Sequence, residues 1–117
     1  MVRTRVTRTF TFDAAHQLPW HAGRCRNLHG HTYRLEVTVE GPIGEHGIVC
    51  DFADLDVLVR REVLDRYDHT YLNDLLDNPT AELVAAEIWK RLEAAGSLPI
   101  ARIRLWETPD SAVELLA

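Results

Sequence analysis

Three histidines, His16, His29 and His31, are spaced so that two neighbouring strands could bring them together. Residues two apart on a strand point the same way, so both imidazoles of His29-Gly30-His31 can reach one ion. His16 lies just past an alternating run, Val6 to Phe12. If that run pairs antiparallel with the strand after His31, all three rings meet at one end of a sheet. Three neutral imidazoles with an open fourth position form the ligand set of catalytic zinc, which acts as a Lewis acid on a bound oxygen. A plainer reading also fits. His16 has the parity of Phe10 and Phe12, and His29 and His31 that of Tyr33 and Leu35, so all three could be histidines at the rim of a core. Burying three imidazoles without partners costs several kcal/mol, which a metal removes.

Other residues could add proton chemistry. Cys25 stands between Arg24 and Arg26, four residues before His29. Near a cation its thiolate is favoured, which makes it a base or nucleophile; the alternative is a fourth ligand closing a structural site. Asp68 beside His69 can orient the imidazole and raise its basicity for proton transfer, or the two are a polar loop pair. Glu107, in Trp106-Glu107-Thr108, could accept two hydrogen bonds from an aminopyrimidine-like ring, or be an ordinary surface glutamate. Cys50 reads as a small buried residue, and His21 and His46 as loop residues facing solvent.

The elements that would position these groups follow from periodicity. Val6 to Phe12 and Thr32 to Glu40 alternate as strands. Asp51 can cap a helix in which Phe52, Leu55, Leu58, Val59 and Leu64 recur to about Tyr67. After a loop, Asn78-Pro79 opens a second helix carrying Leu83, Val84, Ile88 and Leu92, which Gly96 stops. Two strands, about 101–107 and 112–116, close the chain. The order β-β-α-α-β-β and the tight last connection predict an α+β fold. Its antiparallel four-stranded sheet carries two helices on one face and has exposed edges that invite self-association.

A chain of 117 residues suits one domain, 1–117. A net charge of −5 without a basic stripe argues against nucleic acid and anionic membranes as partners. Two cysteines are too few for a disulfide scaffold. With no leader-like or membrane-length apolar run in the sequence, the expected location is the cytoplasm.

Taken in order, these segments resemble the 6-pyruvoyltetrahydropterin synthase family, in particular its bacterial 6-carboxytetrahydropterin synthase branch in queuosine biosynthesis. The resemblance rests on Phe12-Asp13-Ala14-Ala15-His16, Cys25 through His31, Asp51-Phe52-Ala53-Asp54-Leu55 and Tyr67-Asp68-His69-Thr70-Tyr71-Leu72-Asn73. Asn78-Pro79-Thr80-Ala81-Glu82 and Glu107-Thr108 complete it. It implies the tunnelling fold, in which subunits join their sheets into a barrel, and a homohexamer of two trimers. It implies Zn2+ on His16, His29 and His31, and Cys25 as the catalytic cysteine. Asp68 and His69 would be a second proton-transfer pair, typically reaching in from a neighbouring subunit. Glu107 would anchor the pterin, with Thr80 and Glu82 in the segment lining its pocket. The implied reaction converts 7,8-dihydroneopterin triphosphate to 6-carboxy-5,6,7,8-tetrahydropterin, acetaldehyde and triphosphate, with Arg24 and Arg26 placed to meet the triphosphate. Three residues separate Cys25 from His29, a short spacing that resembles the carboxy-forming branch. Cys50, Ala81 and the compact 17–24 loop depart from the family pattern. Pyruvoyl-forming activity, side-chain cleavage of sepiapterin-like pterins, and a zinc-stabilised module without turnover are the rival readings.

Overall fold

The computed structural model describes residues 2–117. Two long strands, β1 (Thr4–His16) and β2 (His29–Gly41), pair antiparallel along their whole length. Even-numbered residues of β1 and odd-numbered residues of β2 face the core: Phe10, Phe12, Ala14 and His16 on one strand, Tyr33, Leu35, Val37 and Val39 on the other. Both strands run further toward the histidines than the alternating pattern reached. The added residues include Ala14, Ala15 and Gly30, which have little strand preference of their own. They hold strand geometry because they face one another, Ala15 opposite Gly30 and His16 opposite His29.

Helix α1 covers 52–67. Asp51 caps it, accepting from the Ala53 amide at 2.8 Å. It begins as α-helix over Phe52–Val59, widens to a π turn over Arg60–Leu64 and ends in an α turn over Asp65–Tyr67. Helix α2 (Ala81–Ala95) starts two residues later than the Asn78-Pro79 signal suggested. Thr80 is the cap, its hydroxyl accepting from the Leu83 amide at 3.2 Å, and Pro79 lies outside the helix. Gly96 ends α2 with a left-handed φ of 67°, a conformation that costs other residues a Cβ clash.

The expected four-stranded antiparallel sheet is corrected to a mixed sheet of five. A two-residue strand, β3 (Thr70–Tyr71), pairs parallel to β1 at Ala14 and Ala15. The order is β3-β1-β2-β4-β5, with β4 (Ile100–Thr108) and β5 (Ser111–Leu116) antiparallel. So short a strand carries no periodicity of its own; the pairing of its neighbours creates it. The core lies between the sheet and both helices, where Phe12 stacks on Tyr33 at 5.0 Å under Leu55, Val59, Ile88 and Leu92. No helix among the described residues is long and apolar enough to cross a membrane.

Replacing Thr80 by alanine should remove a cap worth about 1 kcal/mol. A lower denaturant midpoint with an unchanged slope is the expected result; an unchanged midpoint would show that the hydroxyl does not hold α2.

Candidate metal centre and adjoining cavity

The register that places His16 opposite His29 makes the cluster. The three rings lie with centroids 4.6 to 5.1 Å apart, and their nitrogens fall within 4.8 Å of one another. His16 is 1% exposed. Its Nδ1–H donates to the Pro79 carbonyl at 2.8 Å, and His29 Nδ1–H donates to the Asn27 carbonyl at 2.7 Å. A carbonyl can only accept, so each ring carries a proton on Nδ1, which in the neutral ring leaves Nε2 bare. Those two Nε2 atoms lie 3.0 Å apart. Nitrogens on one tetrahedral metal at zinc distances would be about 3.3 Å apart. His31 Nε2 is buried with no hydrogen-bond partner. Burial is the largest influence on His31 and pushes its pKa below the ordinary histidine value. Glu107 opposes that shift, and the His16 and His29 rings add to it. Burial therefore favours a neutral His31, whose unpartnered Nε2 can offer a lone pair to a cation.

The backbone around the cluster is tied down. Asn73 brackets Gln17, the residue after His16: its Oδ1 accepts from the Gln17 amide at 2.9 Å and its Nδ2 donates to the Gln17 carbonyl at 2.8 Å. Trp20 Nε1 donates to Asn78 Oδ1 at 2.8 Å, fixing the 17–28 loop to the segment that supplies Pro79.

Glu107 is not an isolated surface glutamate. Its carboxylate oxygens lie 3.7 Å from His31 Nε2 and 3.9 Å from His16 Nε2. It shares with His31, Thr11, Arg34, Trp106 and Pro109 the wall of a cavity of about 510 Å³, large enough for a small ligand. A second cavity of about 510 Å³ brings His69 and Thr70 to the other side of His31, with Asp13 and Thr32 between them.

The Asp68-His69 pair is real. His69 Nδ1 is 3.0 Å from Asp68 Oδ1, with the imidazole 78% exposed. The leading cause of Asp68's lowered pKa is the Asp13 amide, which donates to its carboxylate at 2.9 Å; partial burial opposes and His69 adds. His69 adopts a left-handed φ of 60°, held by its amide donating to the Asp13 carbonyl at 2.6 Å. Sequence reasoning gave Asp13 no part in this arrangement. Its contacts with the pair are made by main-chain groups, which leave no signal in the sequence.

Cys25 sits half-buried in a single turn (Arg24–Arg26) between β1 and β2 and is outside the three-histidine cluster. Arg24 and Arg26 are exposed and line neither cavity. Thr80 and Glu82 occupy the cap and first turn of α2, immediately after Pro79.

Fold and site define an α+β protein with a three-histidine cluster that could hold a metal ion, opening on a small-molecule cavity. The model of one protein family, 6-pyruvoyl tetrahydropterin synthase, matches residues 5–117. A Synechocystis protein named 6-carboxy-5,6,7,8-tetrahydropterin synthase is 41% identical, over 92% of this chain and 88% of its own. A Pyrococcus furiosus protein named dihydroneopterin monophosphate aldolase is 39% identical, over 97% and 98%. The structure of Caenorhabditis elegans 6-pyruvoyl tetrahydropterin synthase superposes with a TM-score of 0.89 at 27% identity, over 100% and 97% of the two chains. The chain belongs to the 6-pyruvoyl tetrahydropterin synthase family.

Two outcomes test the metal centre. His29→Ala should abolish stoichiometric metal in the purified protein, read by elemental analysis; one metal per chain in that variant would refute the ligand set. Chelation of the unaltered protein should leave its far-ultraviolet dichroism intact, because the β1–β2 pairing and the apolar core already hold the strands that carry the cluster. Cooperative unfolding on chelation would instead assign the metal a structural role.

Proposed function

We propose that this chain is a zinc-dependent 6-carboxy-5,6,7,8-tetrahydropterin synthase of the cytoplasm. The reaction takes 7,8-dihydroneopterin triphosphate and water to 6-carboxy-5,6,7,8-tetrahydropterin, acetaldehyde and triphosphate, for queuosine or another 7-deazapurine. The observation that carries this reading is the convergence of His16, His29 and His31 beside Glu107 on the wall of one cavity. The likeness to the Synechocystis synthase supports it.

Three histidine nitrogens with Cys25 outside their cluster fit a catalytic zinc site, which keeps one position for substrate. Zinc bound there would acidify the substrate's side-chain hydroxyls and the protons on adjacent carbon. Glu107 accepts hydrogen bonds from the pterin ring and sets the reacting carbon near Cys25. Cys25, as thiolate, takes a proton. His69, oriented by Asp68, returns or removes another. Thr80 can still donate its hydroxyl hydrogen toward a ligand, because its oxygen only accepts from Leu83. Glu82 stands two residues along, in the first turn of the same helix.

A homohexamer of two trimers, with sheets joined into a barrel, suits the free strand edges. Before Ala14, the outer edge of β1 has no strand partner among the described residues, and β5 is an edge strand.

A second reading has its own support in the 39% identity to a dihydroneopterin monophosphate aldolase. Aldol cleavage between the first two side-chain carbons would release a phosphorylated two-carbon aldehyde. Pyruvoyl formation would release triphosphate and keep all three carbons. Mass analysis of products from dihydroneopterin triphosphate should show acetaldehyde and free triphosphate. A phosphorylated two-carbon aldehyde, or a pyruvoyl pterin, would overturn the assignment. Cys25→Ala should keep metal and fold while turnover falls about 10²–10⁴-fold, the usual worth of a positioned acid or base. Undiminished turnover would remove the thiol from the mechanism.

A further inference from the structure

The substrate proposed above carries a polyanionic tail, and the residues first matched to it do not face the cavities beside the metal centre. Arg24 and Arg26 point from an exposed turn. Arg34 is placed differently. It lies on β2, three residues beyond His31, and lines the same cavity as His31 and Glu107. It also lines a second cavity, about 270 Å³, with Thr9, Thr11 and Arg60. Thr11 and Arg34 belong to both, so the two spaces adjoin at this one guanidinium.

The charge on Arg34 is poorly answered within the chain. Its ion pair with Glu36 is long, 3.9 Å, and its side chain is 55% exposed. Glu36 is committed elsewhere: it accepts from Trp106 Nε1 at 2.7 Å and from Arg102 at 3.3 Å. Arg60, by contrast, is already held by Asp56 at 3.0 Å, so it adds field rather than free donors. A guanidinium presents donors in a planar fork that matches phosphate oxygens two at a time. The hydroxyl of Thr11, across the β1–β2 pair from Arg34, offers a further donor.

We propose that Arg34, with Thr11 beside it, forms the subsite for the phosphorylated tail of the ligand whose ring lies against Glu107. This rests on the pterin phosphate reading only for the identity of the ligand; recognition of the polyphosphate itself does not. The tail would run from the His31 side of the cavity toward Thr11 and Arg34.

Titration calorimetry with inorganic tripolyphosphate, on the metal-loaded protein, tests this without turnover. Unaltered protein should bind, more weakly as salt rises. Arg34→Gln should weaken binding about tenfold or more, the worth of a charge-assisted pair of hydrogen bonds. The Arg24→Gln, Arg26→Gln double variant should bind as the unaltered protein does. The proteins share one set of metal ligands, so competition of tripolyphosphate for the metal cancels in the comparison. Equal binding by Arg34→Gln, loss confined to the double variant, or no binding by the unaltered protein would each overturn the subsite. Binding that depends on Arg34, in a protein that makes no carboxytetrahydropterin, would keep the subsite and reject the proposed reaction.

Discussion

His16 and His29 aim their Nε2 atoms at each other across 3.0 Å, while their Nδ1 hydrogens are spent on the carbonyls of Pro79 and Asn27. Neutral rings in that state set two lone pairs face to face, and His31 adds a third buried nitrogen with no partner. Such an arrangement is unfavourable unless a positive charge sits among the three. A proton could answer one pair, but a metal answers all three at once.

The rest of the fold serves to hold that geometry. The unbroken β1–β2 register sets His16 opposite His29, and the small residues Ala14, Ala15 and Gly30 let the strands continue to the end of the pair. The chain cannot drift after His16, because Asn73 holds both polar groups of Gln17. Pro79 is delivered by the cap of α2, and the Trp20–Asn78 hydrogen bond closes the loop over it. The metal ligands thus depend on three separate parts of the chain. Binding energy is spent little on ordering them, which is the advantage of a preformed site. The same sheet carries Glu107 to within 4 Å of two of the histidines, so carboxylate and cluster share one rigid frame.

Much of this was legible in the sequence, and what was not has physical reasons. Alternation gave the two long strands, and parity put the three histidines on one face. Helical spacing gave 52–67, and the π turn within it left that spacing readable. The ends of the strands were hidden by Ala and Gly, whose strand geometry comes from their partners. The strand at Thr70–Tyr71 exists only because it docks on β1, and no two-residue pattern can announce that. The cap of α2 was misplaced because Asn78 and Thr80 are both good caps and only the backbone decides between them. From spacing alone Glu107 read more readily as a surface glutamate, since its nearness to His16 depends on β4 lying beside β2, a pairing far apart in sequence. Asp13 holds Asp68 and His69 through main-chain groups, and those carry no residue signature.

The synthase and aldolase relatives match this chain almost equally, so the scaffold is one on which related pterin side chains meet different fates. What the account needs first is the metal's immediate surroundings. X-ray absorption at the zinc edge of the loaded protein reads them directly. The account predicts three nitrogen scatterers of imidazole character at about 2.0–2.1 Å with a light fourth atom. A sulfur scatterer at about 2.3 Å would place Cys25 on the metal and contradict an open catalytic site.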